Sequence, residues 1–131
     1  MEDTILVPIA PAELLDKIAI LEVKEKRISD PEKLKNVRYE LGLLRDLFNK
    51  HIIPTQELNI LLDKLRELSA KGWDIEDGKR RCEKEKRFDS KFIEFARGAF
   101  KNNDQRAAVK KEINLLLGSK IVEEKSYEKW S

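Results

Sequence analysis

The sequence predicts an all-α protein, a bundle of four to five helices, and three observations support this prediction. Charged residues make up 40% of the 131 residues, and only five glycines and four prolines interrupt them, which is typical of long, solvated helices. Apolar residues recur at spacings of three and four along most of the chain. The clearest breaks, at Asp30-Pro31 and before Pro54, fall between such stretches. A chain of this size is expected to form a single domain over residues 1–131.

The first two helices are expected to form an antiparallel hairpin. Helix 1 should begin at Pro11, and helix 2 at Pro31 with Asp30 as its cap, because proline suits a first helical turn. Helix 2 should end before Pro54. The predicted buried stripes are Leu14, Ile18, Leu21 and Ile28 in helix 1, and Leu34, Val37, Leu41, Leu44 and Phe48 in helix 2. The short Ser29-Asp30-Pro31 break places the two helices side by side.

A third helix starts near Thr55 and keeps its apolar period past Gly72. Either one helix continues to about Lys86 or a kink lies at Gly72, where glycine is unfavourable inside a helix, and one long element, straight or bent, is the favoured interpretation. Residues 90–101 predict a fourth helix. The Asn-Asn-Asp run at 102–104 then marks a cap and a break before a final helix over 103–117.

The two ends of the chain predict extended structure. Residues 4–9 and 120–125 are rich in β-branched residues, and Gly118 is placed to end the final helix. Either stretch is too short to be stable as a strand alone. We therefore expect the two to pair and to tie the termini together.

The final predicted helix carries a polar stripe beside its apolar one. Asn103, Arg106, Lys110 and Asn114 follow each other at spacings of three and four. A stripe of this kind meets either carboxylates of the same chain or a ligand. Residues 1–78 hold 12 Lys/Arg against 16 Asp/Glu, a net charge of −4, whereas residues 79–111 hold 12 against 5, a net charge of +7. The partners of Arg106 are therefore expected among Glu76 and Asp77 first, and Glu13 and Asp16 second.

The motif WDIED, residues 73–77, places an indole beside three carboxylates. Trp73 suits a buried core anchor better than a ligand platform. Glu76 and Asp77 either bind a divalent metal or pair with Arg106 and Lys110, and the ion pairs are the favoured interpretation.

The basic run KRRCEKEKR, residues 79–87, is compatible with polyanion binding, but its interleaved acids favour a solvated helix end. Cys82 is the single cysteine, so neither a disulfide nor a cysteine zinc site is expected. No signal peptide opens the sequence, and no apolar run approaches the roughly 20 residues that span a bilayer. A cytoplasmic protein without membrane insertion is expected.

Four stretches together resemble an uncharacterised family of short helical bacterial and phage proteins, a domain of unknown function. They are PIAPAELLDKIAILEVKEKRISDPEKLKNVRYEL, WDIED, NDQRAAVKKEIN and GSKIVEEKSY, which extend over nearly the whole chain. Ala12 departs from the family pattern, which often has glycine there. The resemblance implies no known activity and no catalytic residue, and it suggests an association with surface-polysaccharide synthesis.

Three functions are compatible with these observations. The leading one is a non-enzymatic helical interaction or accessory protein with a protein partner or as a homodimer. The alternative is a metal-dependent enzyme or binding protein for a phosphorylated small molecule. Polyanion or nucleic-acid binding through residues 79–111 ranks third. The ligand-binding candidates are Lys17, Trp73, Glu76, Asp77, Asn103, Arg106, Lys110 and Asn114. The sequence assigns no cofactor and leaves open whether the polar stripe forms a closed network or lines a pocket.

Overall fold

The computed structural model describes residues 3–130 of the chain. It contains four α-helices, α1 (Pro11–Arg27), α2 (Pro31–His51), α3 (Gln56–Lys84) and α4 (Ser90–Leu116). No strand is present in these residues. The all-α prediction is confirmed with four helices in residues 3–130, and the fifth helix is absent from this part of the chain.

The predicted hairpin of α1 and α2 is confirmed. Pro11 lies in the first turn of α1, and a side-chain oxygen of Asp30 accepts a hydrogen bond from the backbone N–H of Glu32 at 3.4 Å. Glu25 of α1 and Arg38 of α2 form an ion pair at 3.5 Å across the hairpin. Glu25 therefore has a cationic partner, although its position falls within the apolar stripe of α1.

The long α3 is confirmed, but the predicted break at residues 102–104 is wrong, because α4 runs through it as one helix. Asn102 is buried, and its Nδ2 donates to the backbone oxygen of Leu68 in α3 at 3.0 Å. The Asp104 carboxylate accepts a hydrogen bond from the Trp130 indole at 2.7 Å. These side chains join α4 to other parts of the chain, so they do not cap a helix.

One apolar core joins the four helices, and α1 is the helix that packs against the other three. The largest fully buried side chains are Leu15, Leu41, Leu58, Leu65 and Ile113, with members on every helix. Because α1 lies in the middle, some of its charged residues contact α3 and α4: Arg27 pairs with Asp74 of α3, and Asp16 pairs with Arg106 of α4. None of the helices in residues 3–130 combines the length and apolarity needed to cross a membrane.

The predicted strand pairing of the termini is wrong for the part of the chain that the structure describes. Residues 4–9 and 120–125 have no regular structure, and Ile5 and Leu6 are 89% and 88% exposed. Gly118, with φ of +69°, follows the end of α4 as predicted. Beyond it, the Ser119 hydroxyl accepts from Ile121 N–H at 3.2 Å and donates to the Ile121 carbonyl at 3.0 Å. In a strand, the N–H and C=O groups of Ile121 would form hydrogen bonds with the neighbouring strand. Here both groups are bound by the Ser119 side chain, so a local turn forms and a strand does not.

Candidate functional site

Part of the polar stripe of α4 is closed by carboxylates of α1. Nη2 of Arg106 donates to both Asp16 oxygens at 2.7 and 2.8 Å. Nζ of Lys110 lies 2.6 Å from a Glu13 oxygen and 3.7 Å from Asp16. The Asp16 side chain is only 10% exposed, so these are largely desolvated, charge-assisted contacts.

Lys110 is held in its charged form by its surroundings. Burial by itself lowers the pKa of an amine. Here the hydrogen bond to Glu13 and the charges of Asp16, Glu13 and Glu123 outweigh burial, so the pKa of Lys110 is raised above its ordinary value. This ammonium group is therefore part of the network between the helices.

Asn114 completes the closed part of the stripe by capping α1. Its Oδ1 accepts a hydrogen bond from the backbone N–H of Ala12 at 2.9 Å. Ala10, the residue before the helix, offers no side-chain cap. The first turn of α1 is thus completed by a side chain 102 residues further along the sequence.

Arg106 pairs with Asp16, one of its second-choice partners, and not with Glu76 or Asp77. Glu76 instead contacts Lys79 at 2.8 Å and Arg80 at 2.6 Å, one turn along its own helix. The hydrogen bonds from Lys79 and then Arg80 lower the pKa of the Glu76 carboxyl despite some burial. Glu76, which the sequence analysis expected to pair with Arg106 of α4, is therefore paired with cations of its own helix.

Beside this network, α1, α3 and α4 leave a cleft of about 500 Å³. Its apolar lining comprises Ile20, Val23, Ile75 and Ala99, and its polar or aromatic lining comprises Ser69, Trp73, Glu76, Asp77, Arg80, Asn102, Asn103 and Arg106. Gly72 allows the close approach of α3 and α4 here, because a Cβ at this position would lie 3.0 Å from Oδ1 of Asn102. The cleft therefore combines an apolar wall with several hydrogen-bonding groups.

Two residues that line this cleft each carry a buried polar atom with no hydrogen-bond partner within residues 3–130. The atoms are Oγ of Ser69 and Nε of Arg106. Ser69 is only 8% exposed. The great majority of buried polar atoms in proteins are paired, so these two atoms are exceptions.

Five of the eight predicted ligand-binding residues line the cleft, namely Trp73, Glu76, Asp77, Asn103 and Arg106. Lys110 and Asn114 line a smaller cavity of about 290 Å³ between α4 and the C-terminal segment. Lys17 is exposed and lines neither cavity. The stripe is thus closed by contacts with α1 at Lys110 and Asn114, whereas Asn103 at its other end lines the cleft.

Trp73 meets the expectation of a buried anchor only in part, because it is half-buried and lies on the wall of the cleft. Ser69 was not among the sequence candidates. The signal for it was a polar residue directly after Leu68, within the apolar period of α3 and four residues before Trp73.

The acidic residues of WDIED point to different partners. Asp74 contacts Arg27 at 2.5 Å, and Glu76 contacts Lys79 and Arg80. Among residues 3–130, no group of three or more His, Cys, Asp or Glu side chains is arranged to hold a metal ion.

These features define an all-α, four-helix protein with a polar cleft between three of its helices. A family model described as a family of unknown function (DUF6165) matches residues 5–130, so the chain belongs to this family. The expectation of an uncharacterised domain family is thereby confirmed. Neither a curated protein nor a solved structure shows significant similarity to the chain.

Proposed function

We propose that this chain is a non-enzymatic accessory protein that binds a small polar ligand in the cleft between α1, α3 and α4. The observation that carries the proposal is the pair of unpartnered buried atoms, Ser69 Oγ and Arg106 Nε, in the lining of one cleft. Its volume of about 500 Å³ falls within the range of about 300–1,000 Å³ usual for small-molecule sites.

The charges around the cleft favour a neutral or zwitterionic ligand over a phosphorylated one. Arg106 is already paired with Asp16, and Arg80 shares Glu76 with Lys79. Asp77 has no ion-pair partner within the described residues. A phosphate would therefore meet two cations that already have carboxylate partners, and it would also meet an unpaired carboxylate. Hydroxyl or amide groups can instead donate to Asp77 and accept from Nε of Arg106.

The same contacts favour binding over catalysis. A general base works best with a pKa near the working pH, whereas the pKa of Glu76 is lowered by Lys79 and Arg80. Arg106 is held between helices by Asp16 and stabilises the fold around the cleft. These residues are suited to positioning a ligand.

The association with surface-polysaccharide synthesis that the family resemblance suggests would make a monosaccharide unit the first ligand to test. Such a ligand brings hydroxyl groups for Asp77 and an apolar ring face for Trp73. We place the protein in the cytoplasm as part of the same proposal, because the free, buried thiol of Cys82 suits a reducing compartment.

The test is a thermal-shift and calorimetric titration of the full chain with neutral monosaccharides, amino sugars, sugar phosphates and inorganic phosphate. A neutral or amino sugar should raise the melting temperature, because ligand that binds the native state stabilises it. Asp77→Asn should weaken binding about tenfold or more, since it removes a charged acceptor. Asp46→Asn, at an exposed position on α2, is the matched control.

Binding of phosphate compounds alone would favour the phosphorylated-ligand alternative. If no compound in the panel shifts the melting temperature, the proposal is wrong for these ligand classes. Equal affinities of Asp77→Asn and Asp46→Asn would place a bound ligand elsewhere on the molecule.

A second candidate function, a protein–protein interaction module, is favoured by the N-terminal segment. Residues 4–9 have no regular structure, and Ile5 and Leu6 project almost fully into solvent. An extended segment with free backbone groups can add a strand to a partner. Sedimentation velocity of the full chain and of Ile5→Ser/Leu6→Ser tests whether this segment joins two copies. A concentration-independent monomer in both cases would contradict a homodimer.

A further inference from the structure

The distal part of the α3–α4 hairpin extends beyond the end of α1. The last residue of α1, Arg27, contacts Asp74 of α3 at 2.5 Å. Further along α3, packing is against α4, where the Phe95 ring lies so close to Gly78 that a Cβ at that glycine would overlap it. We call this part of the hairpin, residues 79–101, the distal arm.

The distal arm exposes apolar side chains in its turn and along one face of α4. Phe88, in the turn, is 54% exposed and packs edge-on against Phe92 with ring centroids 5.5 Å apart, and Ile93 on α4 is 55% exposed. Ile93, Arg97, Phe100 and Lys101 follow at spacings that place them on one side of the helix. Trp130 packs edge-on against Phe100 with ring centroids 5.6 Å apart, and it is itself 56% exposed. An apolar surface of this kind marks an interaction site.

The distal arm as a whole is also basic. Residues 79–101 contain nine Lys or Arg against four Asp or Glu, a net charge of +5. Three of the four acids are already paired, Glu83 with Lys86, Asp89 with Arg87 and Glu94 with Lys91, while Glu85 has no ion pair within the described residues. Arg97 has no carboxylate partner there either, and Lys101 lies over the Trp130 ring at 5.1 Å. Arg97 and Lys101 therefore lie beside the exposed apolar residues, on the same side of α4 as Asp104, whose carboxylate accepts a hydrogen bond from the Trp130 indole at 2.7 Å.

We propose that this face docks on an anionic lipid membrane surface, with Phe88, Ile93 and Trp130 at the level of the headgroups and Arg97 and Lys101 contacting the lipid phosphates. Basic and apolar residues on one helix face are typical of helices that lie in the membrane interface, where tryptophan is also enriched. Cationic side chains close to the membrane surface are attracted by anionic lipid headgroups. An exposed isoleucine gains from burial among acyl chains but not on a nucleic-acid backbone, which favours the membrane over DNA or RNA.

Docking in this orientation leaves the ligand cleft accessible. Ala99, Asn102 and Arg106, which line the cleft, follow each other at spacings of three and four. They lie on the side of α4 opposite Arg97 and Lys101, as the helical repeat of 3.6 residues dictates. The membrane proposal is therefore independent of the proposed ligand.

The test is co-sedimentation of the full chain with vesicles of phosphatidylcholine alone and of phosphatidylcholine with about one third phosphatidylserine. We expect binding to the anionic vesicles that weakens as salt is raised. Phe88→Ser/Ile93→Ser should reduce binding about tenfold or more, because both side chains lose their transfer from water to the interface. Arg97→Glu/Lys101→Glu should reduce it by a similar factor.

Matched controls separate this face from general effects. Ile60→Ser changes an isoleucine on α3 of similar exposure, 52%, and Lys33→Glu/Lys35→Glu reverses two exposed charges on α2. Both controls should bind vesicles as the wild type does, and all variants should keep the wild-type melting temperature. Equal binding to neutral vesicles, an equal loss in the controls, or no binding at all would overturn the proposal. Competition by duplex DNA is a further test. If DNA displaces the vesicles and Phe88→Ser/Ile93→Ser leaves DNA binding unchanged, the face is a general polyanion site and the membrane proposal is wrong.

Discussion

Asp16 and Arg106 are 90 residues apart in the sequence, yet one guanidinium nitrogen contacts both carboxylate oxygens at 2.7 and 2.8 Å. Both side chains are largely buried, at 10% and 22% exposure. The contact fixes α1 against α4 at the edge of the cleft. It also leaves Nε of the same guanidinium without a partner among the described residues. One residue thus joins α1 to α4 and, under the proposed function, offers a donor to a ligand.

Arg106→Ala should destabilise the protein by about 3–5 kcal/mol, because it leaves the buried Asp16 carboxylate with a weaker set of partners. Lys111→Ala, at an exposed position on the same helix, should cost less than about 1 kcal/mol. Urea denaturation of both variants measures the difference. Equal free energies of unfolding would show that the Asp16 contact contributes little.

Ser69→Ala should leave the ligand-free protein as stable as the wild type or stabilise it by up to about 1 kcal/mol. The reason is that a buried hydroxyl without a partner carries a desolvation cost of about 1–3 kcal/mol, which alanine removes at the expense of some packing. Asn102→Ala is the contrast, because Asn102 donates to the Leu68 carbonyl. It should lose about 1–3 kcal/mol. Thermal denaturation without ligand compares the two, and a loss of more than about 1 kcal/mol in Ser69→Ala would indicate a paired hydroxyl.

Gly78→Ala should destabilise the hairpin of α3 and α4 by about 1–3 kcal/mol, because the new methyl group collides with the Phe95 ring. Gly42→Ala provides the opposite case. Gly42 lies inside α2, and a methyl group added there would have no atom within 4 Å, so alanine should stabilise by up to about 1 kcal/mol. Chemical denaturation of the two variants should give changes of opposite sign. A stabilising Gly78→Ala would mean that the ring moves aside at little cost.

Trp73→Ala should cost roughly 1–3 kcal/mol, less than the 3–5 kcal/mol or so expected of a fully buried aromatic residue. Trp73 is only half-buried and borders the cleft, so part of its surface is already hydrated. Leu65→Ala, at a position with no exposed surface, serves as the fully buried reference and should cost about 2–5 kcal/mol. A loss in Trp73→Ala above that of the reference would show that the indole is a main core anchor.

Stability should fall at alkaline pH more steeply in the wild type than in Lys110→Met. The pKa of Lys110 is raised in the folded protein, because the Glu13 hydrogen bond and the surrounding carboxylates outweigh burial. A group of this kind stabilises the native state fully below its unfolded pKa, and the effect is lost as pH rises through the folded pKa. Urea denaturation at pH 8 and pH 11 tests this. Parallel losses in the two proteins would exclude Lys110 as the titrating group.

Local signals explain why the helical hairpin of α1 and α2 was predictable. Asp30 and Pro31 determine a cap and a first turn by their own chemistry, and both act as expected. Asn102 carries a similar local signal but is used differently, because its amide reaches the Leu68 carbonyl of another helix. Sequence alone cannot distinguish a capping asparagine from one that bridges two helices.

The polar stripe was predictable to a similar degree. Helical spacing placed Arg106 and Lys110 on one face, and the charge distribution predicted carboxylates from the first 78 residues. The choice of Asp16 over Glu76 depended on tertiary structure, because Lys79 and Arg80 satisfy Glu76 within α3. Ser69 became a candidate only when the packing of three helices enclosed it.

The cap that Asn114 provides for Ala12 has a consequence for the order in which the chain folds. During synthesis the α1–α2 hairpin can form early from local contacts, but the first turn of α1 lacks its hydrogen-bond acceptor until residue 114 has left the ribosome. Contacts so distant in sequence also carry the largest loop-closure cost. We therefore expect nascent chains that stop before α4 to remain sensitive to proteolysis near residue 12, and protection to arise abruptly once the last helix is complete.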